Sequence, residues 1–325
     1  MTGNPTGTRV AALDCGTNSL RLLIADVDPI AGTLRDIDRR MEVVRLGQGV
    51  DATGRIDPVA MRRALQVTEQ YAALCRDAGV QRLRFVATSA TRDADNRAEF
   101  VAGVAALLGV EPEVISGQEE AQLSFTGATG ELAGRRAGPF LVVDIGGGST
   151  EFVLGTDRVQ AAISVDIGCV RLTERHAPSD PPAPAELAAV AGDVLAAIDR
   201  AAAVVDLSAA GTLVGLAGSV ATVAARALRL PAYRSADLHG AELPIGVLDA
   251  ACTDLITATR RQRAAMPFMH PGRVDVIGAG ALIWQLVLRR VAADAGLDTA
   301  LSSEHDILDG IAWALADPDR HLPVG

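Results

Sequence analysis

Two stretches of the chain share one pattern of apolar and polar positions: an apolar run that ends at an aspartate, a small polar turn, and a second apolar run. They read LDCGTNSLRLLIADV at 13–27 and VDIGGGSTEFVLGTD at 143–157. Strand, tight turn and strand is the pattern of a β-hairpin. Three identities align at a constant, domain-sized offset of 130 residues: Asp14 with Asp144, Gly16 with Gly146, and Ser19 with Ser149. Chance similarity is the competing interpretation, but this agreement favours a duplicated fold.

Strand and helix patterns alternate after each predicted hairpin. In the first half, the apolar spacing predicts strands at 33–47, 82–90 and 113–116 and helices at 58–79, 96–109 and 117–132. In the second half, it predicts a strand at 212–218 and helices at 168–176, 185–205, 219–228, 271–295 and 305–316. Such alternation is typical of an α/β fold in which helices pack on mixed sheets.

Small and polar residues interrupt the apolar pattern at 131–138, where the chain reads ELAGRRAG. This interruption predicts two domains, at 1–132 and 133–325. A closing helix, at about 304–318, can pack back on the first domain.

Composition narrows the function classes. The 325 residues are 49% hydrophobic and 22% charged, which fits a folded protein with full cores. A net charge of −10 and only 3% aromatic residues argue against broad nucleic-acid or anionic-membrane binding. No apolar run approaches the roughly 18 residues of a membrane helix and no signal peptide is recognisable, so we expect a cytoplasmic protein. Four scattered cysteines without a CxxC pair argue against a zinc site or a disulfide framework.

The GGGST turn carries the first candidate chemistry. It lacks the lysine of a P-loop and the spacing of a dinucleotide-binding turn. Successive N–H groups of a glycine turn can form a nest for a phosphate, here from Gly146, Gly147, Gly148 and Ser149. The flanking Asp144 and Glu151 would repel that phosphate unless they hold Mg²⁺ or Mn²⁺ between themselves and it. A tight turn with solvated acids is the alternative.

The DCGTNSLR turn supplies the matching candidates. Asp14 is a further candidate metal ligand, and the candidate donors to a phosphate oxygen are Asn18, Ser19 and Arg21. Arg21 occupies the place of Glu151, so one hairpin carries a cation where the other carries an acid. Arg92 lies between a predicted strand and a predicted helix, where the helix N-terminus favours an anion. A helix-capping cluster with a surface arginine is an equally common interpretation of that segment.

Two adjacent acids, Glu119 and Glu120, lie in the first turn of the helix predicted from ISGQEEAQLSF. Acids in this position are favoured by the helix dipole alone. The functional interpretation makes one of them a general base that activates water for attack on phosphorus. The histidines and cysteines have no triad spacing, so the pattern does not support a covalent nucleophile.

Together these segments resemble the family of exopolyphosphatases and guanosine pentaphosphate phosphohydrolases. The motifs that carry the resemblance are DCGTNSLRLLI, RFVATSATRDADN, VISGQEEAQLSF, VVDIGGGSTEFVLG, DIGCVRLTE, GLAGSVATVAA and SEHDILDGI. They span nearly the whole chain, whose length resembles the short actinobacterial subgroup that lacks an extra C-terminal domain. The resemblance implies two ribonuclease H-like domains of the acetate and sugar kinase, heat-shock 70 and actin superfamily, with the active site in the interdomain cleft.

The resemblance also implies residue roles. It makes Glu120 the catalytic glutamate, Asp144 and Glu151 metal-associated acids, and 146–149 the phosphate loop. The implied phosphate contacts of the first domain are Asn18, Ser19, Arg21 and Arg92. The expected reaction is metal-assisted release of terminal phosphate from inorganic polyphosphate, guanosine pentaphosphate or other nucleoside polyphosphates. We expect neither nucleic acid nor a membrane as partner, and a homodimer is the default oligomer.

One segment departs from the family pattern. The closing motif reads HDILDG, with His305 and Asp306 where the family often carries arginine before its acidic-glycine pair. This departure predicts a weaker basic path for long chains and a preference for short polyphosphates. Two alternatives remain open: a small-metabolite kinase of the same fold, with a nucleotide pocket around GLAGS, and a regulator that binds guanosine tetra- or pentaphosphate with weak turnover.

Overall fold

The computed structural model describes residues 7–132, 134–177 and 179–316. They form two compact units, one from the chain up to Gly127 together with the segment from Ile307 onward, and one from Ala128–Asp306. The domain boundary predicted between residues 132 and 133 stays a prediction. Within the described ranges, every helix is too short or too polar to span a membrane.

The strands and helices follow one another along the chain. The strands of the described ranges are β1 (Thr8–Cys15), β2 (Ser19–Asp28), β3 (Thr33–Val43), β4 (Arg82–Ala87), β5 (Glu113–Val114), β6 (Phe140–Ile145), β7 (Thr150–Gly155), β8 (Val159–Val165), β9 (Thr212–Leu216), β10 (Ala241–Pro244) and β11 (Thr299–Ser302). The α-helices are α1 (Val50–Thr53), α2 (Pro58–Asp77), α3 (Ser89–Asp93), α4 (Arg97–Leu108), α5 (Gly117–Thr129), α6 (Cys169–His176), α7 (Pro184–Ala202), α8 (Ala217–Ala227), α9 (Ser235–Leu238), α10 (Ile245–Thr257), α11 (Arg260–Ala264), α12 (Ile277–Ala295) and α13 (Ile307–Ala316).

The two sheets share one topology. The first has the order β3-β2-β1-β4-β5, and the second has the order β8-β7-β6-β9-β11-β10. In each sheet, the first three strands of this order are antiparallel to their neighbours. The fourth strand is parallel to the third, and the fifth is parallel to the fourth. Strand β10 adds an antiparallel edge to the second sheet. The structure therefore confirms two mixed α/β sheets, and the predicted hairpins β1–β2 and β6–β7 hold equivalent places in them.

Apolar side chains cover both faces of the first sheet. Helices α2 and α4 bury one face, where Leu13 and Phe100 are fully buried. Helix α13 buries the other face, where Ile311 packs in one cluster with Val10 and Val86. Burying a side chain of this size contributes about 1.5–3 kcal/mol. The last described helix is thus part of the core of the first unit.

Most predicted elements are present, with differences in some bounds and in elements that the pattern does not assign, such as β11. The helix predicted at 271–295 begins only at Ile277, because Pro271–Arg273 form a short 3₁₀ turn in which the His270 side chain accepts a hydrogen bond from the Gly272 N–H. The strand predicted at 82–90 ends at Ala87, and α3 begins at Ser89. The sequence pattern assigns nothing between 229 and 270, where the structure has α9, β10, α10 and α11.

Candidate functional site

The two hairpin turns are built alike. In the first, the Gly16 N–H donates to Ser19 O at 3.0 Å, and in the second the Gly146 N–H donates to Ser149 O, also at 3.0 Å. The flanking aspartates lie at the same register position of each hairpin, since each is paired with the residue seven positions later. The duplication predicted from the pattern therefore extends to the hydrogen bonds of the turns.

The first hairpin places a cation opposite its aspartate. Arg21 lies across from Asp14 in the β1–β2 pairing and donates to Asp14 Oδ2 from Nε at 3.0 Å and from Nη2 at 2.6 Å. Asp14 is buried, whereas the Arg21 side chain is 20% exposed. Asp14 thus accepts a charge-assisted hydrogen bond from Arg21, so a part in metal binding would have to be shared with that ion pair.

The second hairpin places two carboxylates opposite each other. Asp144 pairs with Glu151 across β6 and β7, and both are buried. Ser164 on β8 donates to Glu151 Oε1 at 2.7 Å. Facing buried carboxylates supply the hard oxygen ligands that Mg²⁺ and Mn²⁺ prefer, and a divalent ion removes their mutual repulsion. The residues present therefore fit the predicted metal.

The carbonyl groups of the second turn are turned toward helix α6. Gly146 O accepts from the Cys169 N–H at 3.1 Å and Gly147 O accepts from the Val170 N–H at 2.9 Å. Within the described ranges, no hydrogen-bond acceptor is found for the N–H groups of Gly147 and Gly148. With its carbonyls engaged elsewhere, the turn keeps these donors for an anion.

Helix α6 approaches this turn closely enough to fix its shape. A Cβ at Gly168 would overlap the backbone of Gly147, so only glycine fits at Gly168. Arg171 donates from Nε to Gly148 O at 2.7 Å. The sequence analysis gives Arg171 no role, although it lies in the DIGCVRLTE segment. A signal was present, because Gly168 marks the start of the predicted helix at 168–176 and Arg171 lies in the first turn of that helix.

The carbonyl groups of the first turn are engaged in the same way. Asn18 O accepts from the N–H groups of Val44 and Arg45 at 3.0 and 2.8 Å, and Thr17 O accepts from the Gly47 N–H at 2.8 Å. No acceptor is found among the described residues for the N–H groups of Thr17 and Asn18. The two turns thus share the arrangement predicted for a phosphate nest.

The structure separates the two adjacent acids of α5. Arg84 holds Glu119 at 2.6 Å, and the Glu119 side chain is 40% exposed. Glu120 is only 12% exposed and accepts from Arg92 Nη1 at 3.3 Å, while the same nitrogen donates to Ile115 O at 3.0 Å. The predicted anion contact Arg92 and the predicted base Glu120 therefore lie together. Glu119 has a structural partner of its own.

The cysteines next to the two turns are neutral thiols. Burial, with a smaller contribution from Asp14, raises the pKa of Cys15 well above its usual value. Burial also raises the pKa of Cys169, although a hydrogen bond with Ser219 opposes the shift. A cysteine nucleophile needs the opposite shift. These raised pKa values give no support to a cysteine nucleophile, and the mechanism without a covalent nucleophile stays a prediction.

Both aspartates of the closing HDILDG segment are buried, and Asp309 forms an ion pair. Asp309 is buried in the first unit and accepts from Arg39 Nη2 at 2.6 Å and from Nη1 at 3.2 Å. Asp306 is buried in the second unit. His305 is partly exposed and its Nδ1 lies 3.7 Å from Glu131 Oε1. The predicted effect of this segment on polymer length stays a prediction.

Comparison with known proteins places these features in a family. The sequence matches the Ppx/GppA phosphatase family over residues 23–313. The chain belongs to the Ppx/GppA phosphatase family. Exopolyphosphatase 2 of Mycobacterium tuberculosis is 51% identical over 316 residues, which are 95% of this chain and 99% of that protein.

Solved structures agree with this membership in the Ppx/GppA family. A crystal structure of an exopolyphosphatase-like protein is 42% identical, with a TM-score of 0.91 over 96% of this chain and 98% of that chain. The Aquifex aeolicus PPX-GPPA enzyme is 29% identical, with a TM-score of 0.78 over 94% and 99% of the two chains. The predicted family and the predicted actin-like fold of two mixed α/β domains are thus confirmed, whereas the position of the active site in the interdomain cleft stays a prediction. This Ppx/GppA chain is a hydrolase of phosphoanhydride bonds. The roles of individual residues stay predictions.

Proposed function

We propose that this chain is a metal-dependent exopolyphosphatase, which releases terminal phosphate from inorganic polyphosphate. The observation that carries the proposal is the buried Asp144–Glu151 pair beside the N–H groups of Gly147 and Gly148. A phosphate bound by these N–H groups lies next to two carboxylates, and a divalent cation resolves that conflict of charge. The name of the Mycobacterium tuberculosis relative, Exopolyphosphatase 2, supports the substrate class.

The second unit binds and orients the terminal phosphate in this proposal. Gly147 and Gly148 offer their N–H groups to its oxygens and Ser149 its hydroxyl, while Gly146 closes the turn through its N–H bond to Ser149 O. Asp144 and Glu151 hold Mg²⁺, or Mn²⁺ in its place; when bound, the ion neutralises charge on the phosphate oxygens. Arg171 keeps the turn in shape through the carbonyl of Gly148.

The first unit supplies the base and further donors. Glu120 removes a proton from a water molecule whose oxygen attacks the terminal phosphorus, and the bond to the bridging oxygen breaks. The products are inorganic phosphate and a chain one unit shorter. Arg92 positions Glu120 through their 3.3 Å contact. Asn18, Ser19 and Arg21 are the proposed donors to phosphate oxygens, and Asp14 supports Arg21 and the metal.

The substrate range follows from the same chemistry. Guanosine pentaphosphate and other nucleoside polyphosphates present the same terminal phosphoanhydride, and we include them as substrates. We place short polyphosphates first, because the closing HDILDG motif lacks an arginine and the net charge is −10.

The domain boundary, the homodimer and the cytoplasmic location are part of the proposal, and are checked by limited proteolysis, light scattering and cell fractionation.

Phosphate release from a panel of substrates tests the proposal. The panel contains polyphosphates of defined length, guanosine pentaphosphate and nucleoside triphosphates, each with Mg²⁺, with Mn²⁺ and with chelator. We expect metal-dependent release that is fastest with short polyphosphates. A rate of phosphate release that rises steadily with polymer length contradicts the preference for short polyphosphates but not the hydrolase proposal. Tight binding of guanosine tetraphosphate without phosphate release favours the regulator alternative.

The kinase alternative meets a local obstacle. It needs a nucleotide pocket around GLAGS, but there Arg273 donates from Nη1 to Gly218 O at 3.2 Å and occupies the space in which a Cβ of Gly218 would lie. A kinase also requires an acceptor, whereas a phosphohydrolase releases phosphate into water. Phosphate release that appears only when a metabolite acceptor is added favours the kinase.

A further inference from the structure

Three side chains from distant parts of the second unit converge on one point. Glu131 follows α5, His239 follows α9, and His305 lies between β11 and α13. One ligand atom from each lies within 4.8 Å of the other two, and among the described residues this is the group of three that meets that criterion. None of the three has a part in the proposed hydrolysis, so the cluster poses a separate question.

The distances in the cluster fit one small metal ion. His239 Nε2 lies 3.3 Å from Glu131 Oε2, and His305 Nδ1 lies 3.7 Å from Glu131 Oε1. Two ligand atoms of a tetrahedral zinc ion, each about 2.0–2.2 Å from the metal, are about 3.4 Å apart. The imidazole rings lie nearly face to face, with centroids 4.1 Å apart and planes at 32°. Binding one ion requires side-chain rotations that bring His239 Nε2, His305 Nδ1 and a Glu131 oxygen to a common centre.

The backbone holds the two histidines in place. Strands β10 and β11 are antiparallel neighbours that pair Ala241 with Ser302, and the Gly240 N–H donates to Ser302 O at 2.8 Å. His239 and His305 extend from the ends of these paired strands. A hydroxyl contact then fixes the second of them, since Ser303 Oγ donates to His305 O at 2.9 Å. Both histidines lie in short loops next to these strands, and the backbone contacts restrict the freedom that those loops would lose on binding a ligand.

We propose that Glu131, His239 and His305 bind a transition-metal ion, with Zn²⁺ the best match. Two imidazoles and one carboxylate are typical ligands of zinc, whereas Mg²⁺ prefers oxygen ligands alone. Water fills the fourth position. Coordination through Nε2 of His239 moves its ring proton to Nδ1, so the 3.3 Å contact from the Glu304 N–H to Nδ1 gives way. No cysteine takes part, which is why the cysteine spacing does not reveal this site.

The place of the cluster in the chain gives it a consequence. The chain passes between the two compact units after Gly127 and again after Asp306. Glu131 lies just beyond the first passage and His305 just before the second. A bound ion therefore joins the two connecting segments to each other. The proposal thus adds a metal site at the two connecting segments, which stands whether or not the hydrolase proposal holds.

Zinc and cobalt binding to the metal-free full-length chain tests the site. Calorimetry with Zn²⁺ in excess Mg²⁺ is expected to show a single equivalent, and Co²⁺ is expected to give the visible bands of four-coordinate cobalt. Glu131→Gln, His239→Gln and His305→Gln are each expected to weaken Zn²⁺ binding at least about 100-fold, since loss of a mere supporting contact costs 10–100-fold. Glu131 is exposed, so its variant keeps the fold even if a histidine variant does not.

Two controls assign the ion to this cluster. His176→Gln changes a histidine that pairs with Asp193 instead, and Asp144→Asn changes a proposed Mg²⁺ ligand. Both are expected to keep full Zn²⁺ and Co²⁺ binding. The proposal is overturned if neither ion binds, if His305→Gln or Glu131→Gln binds as tightly as the unchanged chain, or if Asp144→Asn abolishes binding. Loss of phosphate release in Asp144→Asn with zinc binding retained leaves the site standing.

Discussion

Asp144 lies directly opposite Glu151 in the antiparallel β6–β7 pair, and both carboxylates are buried. The equivalent pair of the first sheet is Asp14 with Arg21, which form an ion pair at 2.6 Å. The two hairpins thus have the same strand pairing and differ in charge at one position, which is Arg21 in the first hairpin and Glu151 in the second. The acid pair offers two carboxylates to the proposed metal ion, whereas the Asp14–Arg21 pair contains a cation of its own.

Removing one carboxylate of the acid pair should abolish the response to Mg²⁺. We expect Mg²⁺ to raise the Tm of the unchanged chain, because an ion present at 100 times its Kd stabilises the folded state by about 2.7 kcal/mol. Asp144→Asn and Glu151→Gln should lose this rise and need more Mg²⁺ for phosphate release. Glu186→Gln, a change of a partly exposed acid at the start of α7 in the same unit, is the control and should keep the rise. An unchanged Mg²⁺ response in both site variants contradicts the metal assignment.

The two adjacent glutamates of α5 should differ in function. Glu120→Gln is expected to lower kcat by about 10²–10⁴-fold, the usual contribution of a general base. Glu119→Gln should leave kcat nearly unchanged and cost at most about 1 kcal/mol of stability, because its pair with Arg84 is 40% exposed on the glutamate side. Steady-state kinetics and urea unfolding of the two variants measure these effects. Equal losses of kcat would remove the distinction.

The fit between α6 and the glycine turn can be tested with one methyl group. Gly168→Ala places a Cβ against the backbone of Gly147, so we expect a loss of about 1–3 kcal/mol of stability and a raised KM for polyphosphate. Gly192→Ala in α7 has open space and should stabilise the protein by about 0.5–1 kcal/mol. Thermal unfolding and kinetics of both variants check this. If Gly168→Ala changes neither stability nor KM, the backbone at Gly147 can shift to accommodate the added methyl group.

Acid stability should depend on Asp26 of β2. Arg9 holds this carboxylate at 2.7 Å and is the main reason that the pKa of Asp26 is lowered, with Arg35 adding to it against the effect of burial. A lowered folded-state pKa contributes stability that is fully present above the unfolded value of about 3.9 and is lost as the pH falls through the folded value. Asp26→Asn should therefore be less stable at neutral pH and approach the unchanged chain below about pH 3.9. Urea unfolding between neutral and acid pH measures this, and parallel curves throughout would refute it.

Local pattern was sufficient for the two hairpins, their turns and most of the helices, although it missed α10 and set the start of α12 too early. A hairpin brings together residues only a few positions apart, so Asp144 and Glu151 could be placed opposite each other from spacing alone. Helix α2 shows its ends in the same way, through the Asp57 cap and Pro58 at its first turn. The duplicated sheet followed, because two such hairpins a domain apart imply two similar folds.

Contacts between distant segments had no local signal. Strand β11 has four residues and pairs with strands far away in sequence, and the sequence analysis leaves it unassigned. The different partners of Glu119 and Glu120, Arg84 and Arg92, lie 35 and 28 residues away along the chain. His239 meets Glu131 across 108 residues. Spacing along the chain determined most strands and helices and the turns of the hairpins. Contacts between distant side chains were decided by packing, because burial of the apolar faces of strands and helices determines which polar groups come together.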